Sequence, residues 1–189
     1  PITADQLTDV DVYVSFTREQ GDGYAYADNE LTVLQNWVNT EGGNILLLTN
    51  HGGFASAPND NYSANDAPLA AMFGIELQDY SVDSNGSGDF TMTVTDNIPA
   101  ISNNAPSMSA HDSCIIVPPP QFTSLVEFPS SWTAYNPKTG DSSAPPTPYF
   151  SIVCPGDPTS QDSGQVLVIG NSGWTGDSGS PRPAYGLIT

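Results

Sequence analysis

From Val10 to Phe16, apolar and small or polar side chains alternate, the two-residue period of a strand with one covered face. A polar stretch, Thr17 to Ala27, follows. Beyond it Leu31, Leu34, Trp37 and Val38 recur at three- and four-residue spacing, which predicts an amphipathic helix capped by Asp28. Gly42 and Gly43 end that helix, because glycine accepts the left-handed conformation past a helix C-terminus. Asn44 to Thr49 (NILLLT) is continuously apolar, as expected of a strand covered on both faces in a parallel sheet. Strand, helix and buried strand together read as a βαβ unit.

Downstream, Asn50 to Asn65 is a polar, glycine-rich loop, and Asp66 with Pro68 opens a short helix, Ala67 to Phe73, that Gly74 stops. Alternation predicts a solvated strand over Asp89–Thr95 and further strands at Ser113–Val117, Phe122–Phe128 and Tyr149–Cys154. Gln165 to Gly170 (QVLVIG) repeats the buried-strand pattern. Pro118-Pro119-Pro120 and the stretch from Asp141 to Pro148 read as rigid surface loops inside one domain, 1–189, with a β-rich, Pro-rich insertion over roughly 81–160.

Four segments in this order, LTDVDVYVSF, NELTVLQNWVNTEGGNILLLTNHGGF, NDAPLAAMFGIEL and GQVLVIGNSGW, resemble the class I glutamine-amidotransferase-like superfamily, in its bacterial branch without glutaminase activity. The resemblance covers roughly residues 7 to 80 and 164 to 175. It implies an α/β fold, a three-layer flavodoxin-like sandwich with a mainly parallel sheet. Amidotransferases carry a nucleophilic cysteine on the turn after a buried strand. Here that turn is Thr49-Asn50-His51-Gly52-Gly53, so the nucleophilic cysteine is lacking. The family's additional βα unit and closing helix are not seen either, which points to an open sheet edge or uncovered face that needs covering, by another chain or by the long middle region.

Composition narrows the partners. The chain has 21 acidic residues against three basic ones, Arg18, Lys138 and Arg182, for a net charge of -18. Almost nothing is left to neutralise phosphates, which argues against nucleic acid and anionic membranes. No apolar run approaches the roughly 20 residues of a membrane span. The Asp-, Ser-, Thr- and Asn-rich composition suggests an extracellular or high-salt setting, and the start at Pro1 is consistent with removal of a leader from a secreted protein. In that setting Cys114 and Cys154 are expected to form a disulfide, and Asn61 and Asn85 head two N-glycosylation triplets.

Candidate chemistry gathers where open α/β sheets bind ligands, beyond the carboxyl ends of buried strands. Asn50, His51, Asp60 and Asp66 follow one such strand, and Asn171, Ser172 and Asp177 follow the other, so these loops are expected to converge on a polar cleft. As an enzyme the chain would be a hydrolase of glycans or esters using His51 and Asp177. Gly176-Asp177-Ser178-Gly179-Ser180-Pro181 also resembles the nucleophile loop of chymotrypsin-like proteases, with Ser178 as nucleophile, but the predicted helix near Glu30 does not suit a two-barrel protease. Asp83, Asn85, Ser87 and Asp89 copy the opening of a calcium loop, while Val94 stands where the bidentate glutamate belongs; calcium is the one cofactor suggested. His111-Asp112 is too common a pair to carry weight. The apolar Tyr185–Ile188 stretch is suited to docking on a neighbour by strand addition. The expected function is therefore a non-catalytic extracellular structural or binding domain, a subunit of a larger assembly or filament. Its expected partners are copies of itself, another extracellular protein or a glycan.

Overall fold

The computed structural model describes residues 1–16, 26–53, 62–83, 90–95, 97–99, 107–110 and 112–171. The strand, helix, buried strand unit forms as its pattern predicts. After a one-turn helix α1 (Ala4–Leu7) come β1 (Val12–Phe16), α2 (Asp28–Glu41) and β2 (Asn44–Leu48). β1 and β2 pair in parallel, Val14 beside Leu46. The cap of α2 falls one residue earlier than expected: Ala27 is the N-cap, and the Glu30 carboxylate accepts the Ala27 N–H at 3.0 Å. Gly42 closes the helix in the left-handed region, φ 75°.

The chain then runs through a 3-10 turn (Tyr62–Asn65), α3 (Ala67–Ala71), β3 (Glu76–Asp83), β4 (Phe90–Thr93), β5 (Ser107–Ala110), β6 (Ser113–Val117) and β7 (Thr123–Glu127). β8 (Thr133–Tyr135), β9 (Ser142–Ser143), β10 (Tyr149–Pro155) and β11 (Gln165–Ile169) complete it. One sheet has the order β1-β2-β11-β10-β7, a second β6-β3-β8-β9, and β4 and β5 form a ribbon. The ribbon reaches the first sheet through a bridge between Val94 and Val126.

The expected three-layer flavodoxin-like sandwich is not what forms. Among the described residues parallel pairing is confined to β1, β2 and β11; β10 and β7 continue that sheet antiparallel, and the second sheet and the ribbon are antiparallel throughout. The fold is β-rich. Its physical basis lies in what covers the sheet. One face, through Ile45, Leu47, Val166 and Val168, packs on Leu31, Leu34, Trp37 and Val38 of α2. The other, through Leu46, Leu48, Phe150 and Ile169, packs on Val82, Ile115 and Ala134. Strands of the region read as an insertion thus take the place of a second helix layer. β2 is buried on both faces, as NILLLT predicts, without the sheet being mainly parallel.

Candidate functional site

The carboxyl ends of β2 and β11 lie side by side, with the Thr49 N–H donating to the Ile169 carbonyl at 3.0 Å. Next to them the start of β6 is anchored by the Cys114 N–H on the Gly170 carbonyl at 3.3 Å. Three loops therefore meet, and they carry His51, Asp112 and Asn171.

Asn50 turns its side chain back, its Oδ1 accepting the His51 N–H at 2.9 Å. The imidazole Nδ1 contacts the Gly52 carbonyl, which can only accept, so Nδ1 carries the proton. Nε2 faces Asp112 Oδ2 at 3.8 Å, with the two side chains 13% and 10% exposed. Asp112 is held from its other side: Asn171 Nδ2 donates to its Oδ1 at 2.8 Å and also to its main-chain carbonyl. Tyr62 stacks edge-on against the imidazole, ring centres 4.9 Å apart.

The loop that carries His51 is pinned from behind by β3. The Gly52 N–H donates to the Tyr80 carbonyl at 2.8 Å, the Gly53 N–H to Asp79 Oδ1 at 3.0 Å, and Ser81 Oγ to both glycine carbonyls at 2.9 Å. A β-carbon on Gly52 would come within 2.6 Å of the Asp79 main-chain carbon, so the loop and β3 approach this closely only with glycine at that position. β3 also borders a cavity of about 450 Å³ lined by Glu76, Gln78, Asp79, Tyr80, Asn136 and Lys138 among others. Neither His51 nor Asp112 lines it.

Of the residues expected in the cleft, Asn50, His51 and Asn171 do come together, with Asp112 as the link between the last two. Asp66 is fully buried at the start of α3, and its charge, like that of Asp112, bears on Cys114. Asp60, Ser172, Asp177 and Ser178 lie outside the described residues, as do Asn61, Asn85, Ser87 and Asp89. Asp83 ends β3. Among the described residues no three His, Cys, Asp or Glu side chains are grouped to hold a metal ion.

The two cysteines, expected to be joined, are separate buried thiols in this structure, Cys114 on β6 and Cys154 on β10. Their strands place both in the core beneath α2, where they pack as small apolar side chains. Burial pushes the Cys114 thiol from 9.0 up to about 12, with Asp66 and Asp112 adding to the effect, and burial pushes Cys154 up to about 11. Both raised values favour the protonated folded state. That contribution is whole below about pH 9, where the unfolded thiol still keeps its proton, and is lost as pH rises toward 11 and 12. Native protein at pH 8 is therefore expected to resist a thiol-alkylating reagent, and both cysteines to react once urea unfolds it, as read by intact mass. Rapid labelling of either cysteine in the native state would contradict this burial.

The chain matches no protein-family description and no curated protein sequence. Its fold, however, recurs among solved structures. The mmIFT52 N-terminal domain superposes with a TM-score of 0.62 at 15% identity, over 89% of this chain and 69% of that one. Two cytoplasmic proteins of Salmonella typhimurium, STM3548 and STM1381, superpose with TM-scores of 0.55 and 0.54 at 12% and 13% identity, over 90% of this chain. This chain spans 64% of each of those two, less than two thirds of their length. At such identities the likeness is one of fold. These β-rich similar structures, with the mixed sheets described above, overturn the resemblance to the amidotransferase-like superfamily. No helix among the described residues is long and apolar enough to cross a membrane.

Proposed function

We propose that this chain is a non-catalytic extracellular domain that acts by binding, as a subunit of a larger assembly. One observation carries the reading: the His51 imidazole turns Nδ1 to the Gly52 carbonyl of its own loop. In a nucleophile–His–acid arrangement one imidazole nitrogen faces the acid and the other faces the group to be deprotonated. Here Nδ1 contacts the Gly52 carbonyl and Nε2 lies 3.8 Å from Asp112 Oδ2, so Nδ1, the nitrogen that would face a nucleophile if Asp112 were the acid, is turned to main chain instead. The arrangement suits a pin that locks three loops. The acidic surface, rich in Ser, Thr and Asn, supports the extracellular setting, and its charge supports protein or glycan partners over nucleic acid.

The test is a panel of chromogenic esters and glycosides, run beside calorimetric titration with calcium and zinc. The expected result is no turnover and no stoichiometric ion binding. His51→Gln is expected to lower the melting temperature, since the loops lose their pin. Turnover that disappears in His51→Gln or Ser178→Ala would overturn the non-catalytic reading.

A further inference from the structure

Strand β1 forms one edge of the five-stranded sheet and has an unusual surface. Val12, Val14 and Phe16 are 50%, 40% and 53% exposed, and being two residues apart they point the same way. The parallel register sets Val14 beside Leu46 and Phe16 beside Leu48, whose side chains are buried in the core on that face. The three residues thus continue a buried sheet face out into solvent. On the opposite side, Tyr13 packs on the helix-covered core and Ser15 is buried, bonded to the Tyr26 hydroxyl at 2.5 Å. Among the described residues β1 pairs with β2 alone, which leaves its second row of main-chain donors and acceptors facing outward. Natural edges are usually guarded by a charge, a proline or a bulge, and Val12 to Phe16 contains no such guard.

We propose that β1 pairs antiparallel with β1 of a second copy, about a twofold axis through Val14. The inference rests on the reading of the chain as an assembly subunit and supplies the contact. Self-complementarity selects the partner. With Val14 opposite Val14, Val12 of each copy faces Phe16 of the other, and the two three-residue stripes merge on one face; a one-residue slip would set apolar against polar faces. Antiparallel pairing also carries the exposed Asp9 and Asp11 of the two copies to opposite ends of the contact, whereas parallel pairing would stack them. Each copy carries a charge of -18, so added salt screens the repulsion and tightens the dimer, the reverse of an interface made by ion pairs. Five paired residues fall short of the roughly 1,000 Å² of a lasting complex, so the dimer exchanges with monomer.

Sedimentation velocity of the whole chain over a wide concentration range, at low and high salt, tests this. The expected result is a mass that rises toward twice the monomer, more readily at high salt. Val14→Lys and Val14→Glu are each expected to abolish the rise, since like charges meet on the axis. An equimolar mixture of the two is expected to restore the dimer. The position is exposed, so both variants should keep the wild-type melting temperature. A multimer indifferent to either Val14 change, or a mixture that stays monomeric, overturns β1 pairing and leaves the assembly reading standing. A wild-type chain that stays monomeric throughout overturns β1 pairing and self-association altogether, and leaves assembly with a different partner untouched. The non-catalytic reading is judged separately, by the turnover panel.

Discussion

Phe150→Ala is expected to cost about 3–5 kcal/mol of unfolding free energy, seen as a lower urea midpoint at unchanged slope. Phe150 is fully buried and meets Phe128 edge-to-face at 5.8 Å, while Phe128 lies 5.7 Å from Trp132. Its position depends on a bulge. On β7, Glu127 opposes Tyr149 and the next residue, Val126, opposes Ser151, so Phe150 is the additional residue between them. Phe150 and Ile152 are two apart, yet they enter different cores. Truncating Phe150 opens a cavity in the layer between the sheets, where its ring packs on Phe128. For a domain of ordinary stability, about 5–15 kcal/mol, that is a large share of the total. A loss below about 1 kcal/mol would mean that this face is not packed as described.

Gly164→Ala is expected to cost about 3 kcal/mol, at the upper end for overpacking, because the collision is with main chain. A β-carbon there would lie 1.7 Å from the Gly43 carbonyl oxygen and 2.9 Å from the Gly42 carbonyl carbon. No rotamer change relieves it. The contact is fixed from both sides: the Gly164 N–H donates to the Val38 carbonyl at 2.8 Å, and its carbonyl accepts the Gly156 N–H at 2.9 Å. Gly140 supplies the comparison, with φ 77° and nothing within 4 Å of where a β-carbon would stand. Gly140→Ala should therefore carry the cost of the left-handed conformation alone, about 1–2 kcal/mol. Thermal melts of the two variants separate collision from backbone strain; equal losses would contradict the contact at Gly164.

Elements with a strong local period were legible in the sequence. α2 is marked by its apolar face and two glycines, and β2, β6, β7, β10 and β11 by apolar runs, and all lie close to their predicted spans. β3 was not, since Glu76, Gln78, Asp79 and Asp83 leave it no apolar period; of its residues with described side chains, Ser81 and Val82 alone are buried. Strand direction was not legible either. An apolar run records that both faces are covered, and β10 satisfies that while lying antiparallel between β7 and β11. In the site, His51 and Asn171 were legible because both follow buried strands. Asp112 was not, because its bond to Asn171 spans 59 residues and its sequence neighbours give no hint of it.

The seam between β2 and β11 also governs how the chain is made. Ile45 lies beside Val166 and Leu48 beside Ile169, and Asn44 Oδ1 accepts the Gln165 N–H at 2.9 Å. The centre of the sheet therefore joins the first quarter of the chain to a segment near its end. During synthesis, NILLL emerges from the ribosome long before the strand that will shield its flank, and its buried surface must wait for some 120 more residues, roughly ten seconds at ordinary elongation rates. Such distant pairing folds slowly. A nascent chain stalled before Gln165 would present an uncovered apolar strand, the kind of surface that chaperones hold and that neighbouring nascent chains can capture.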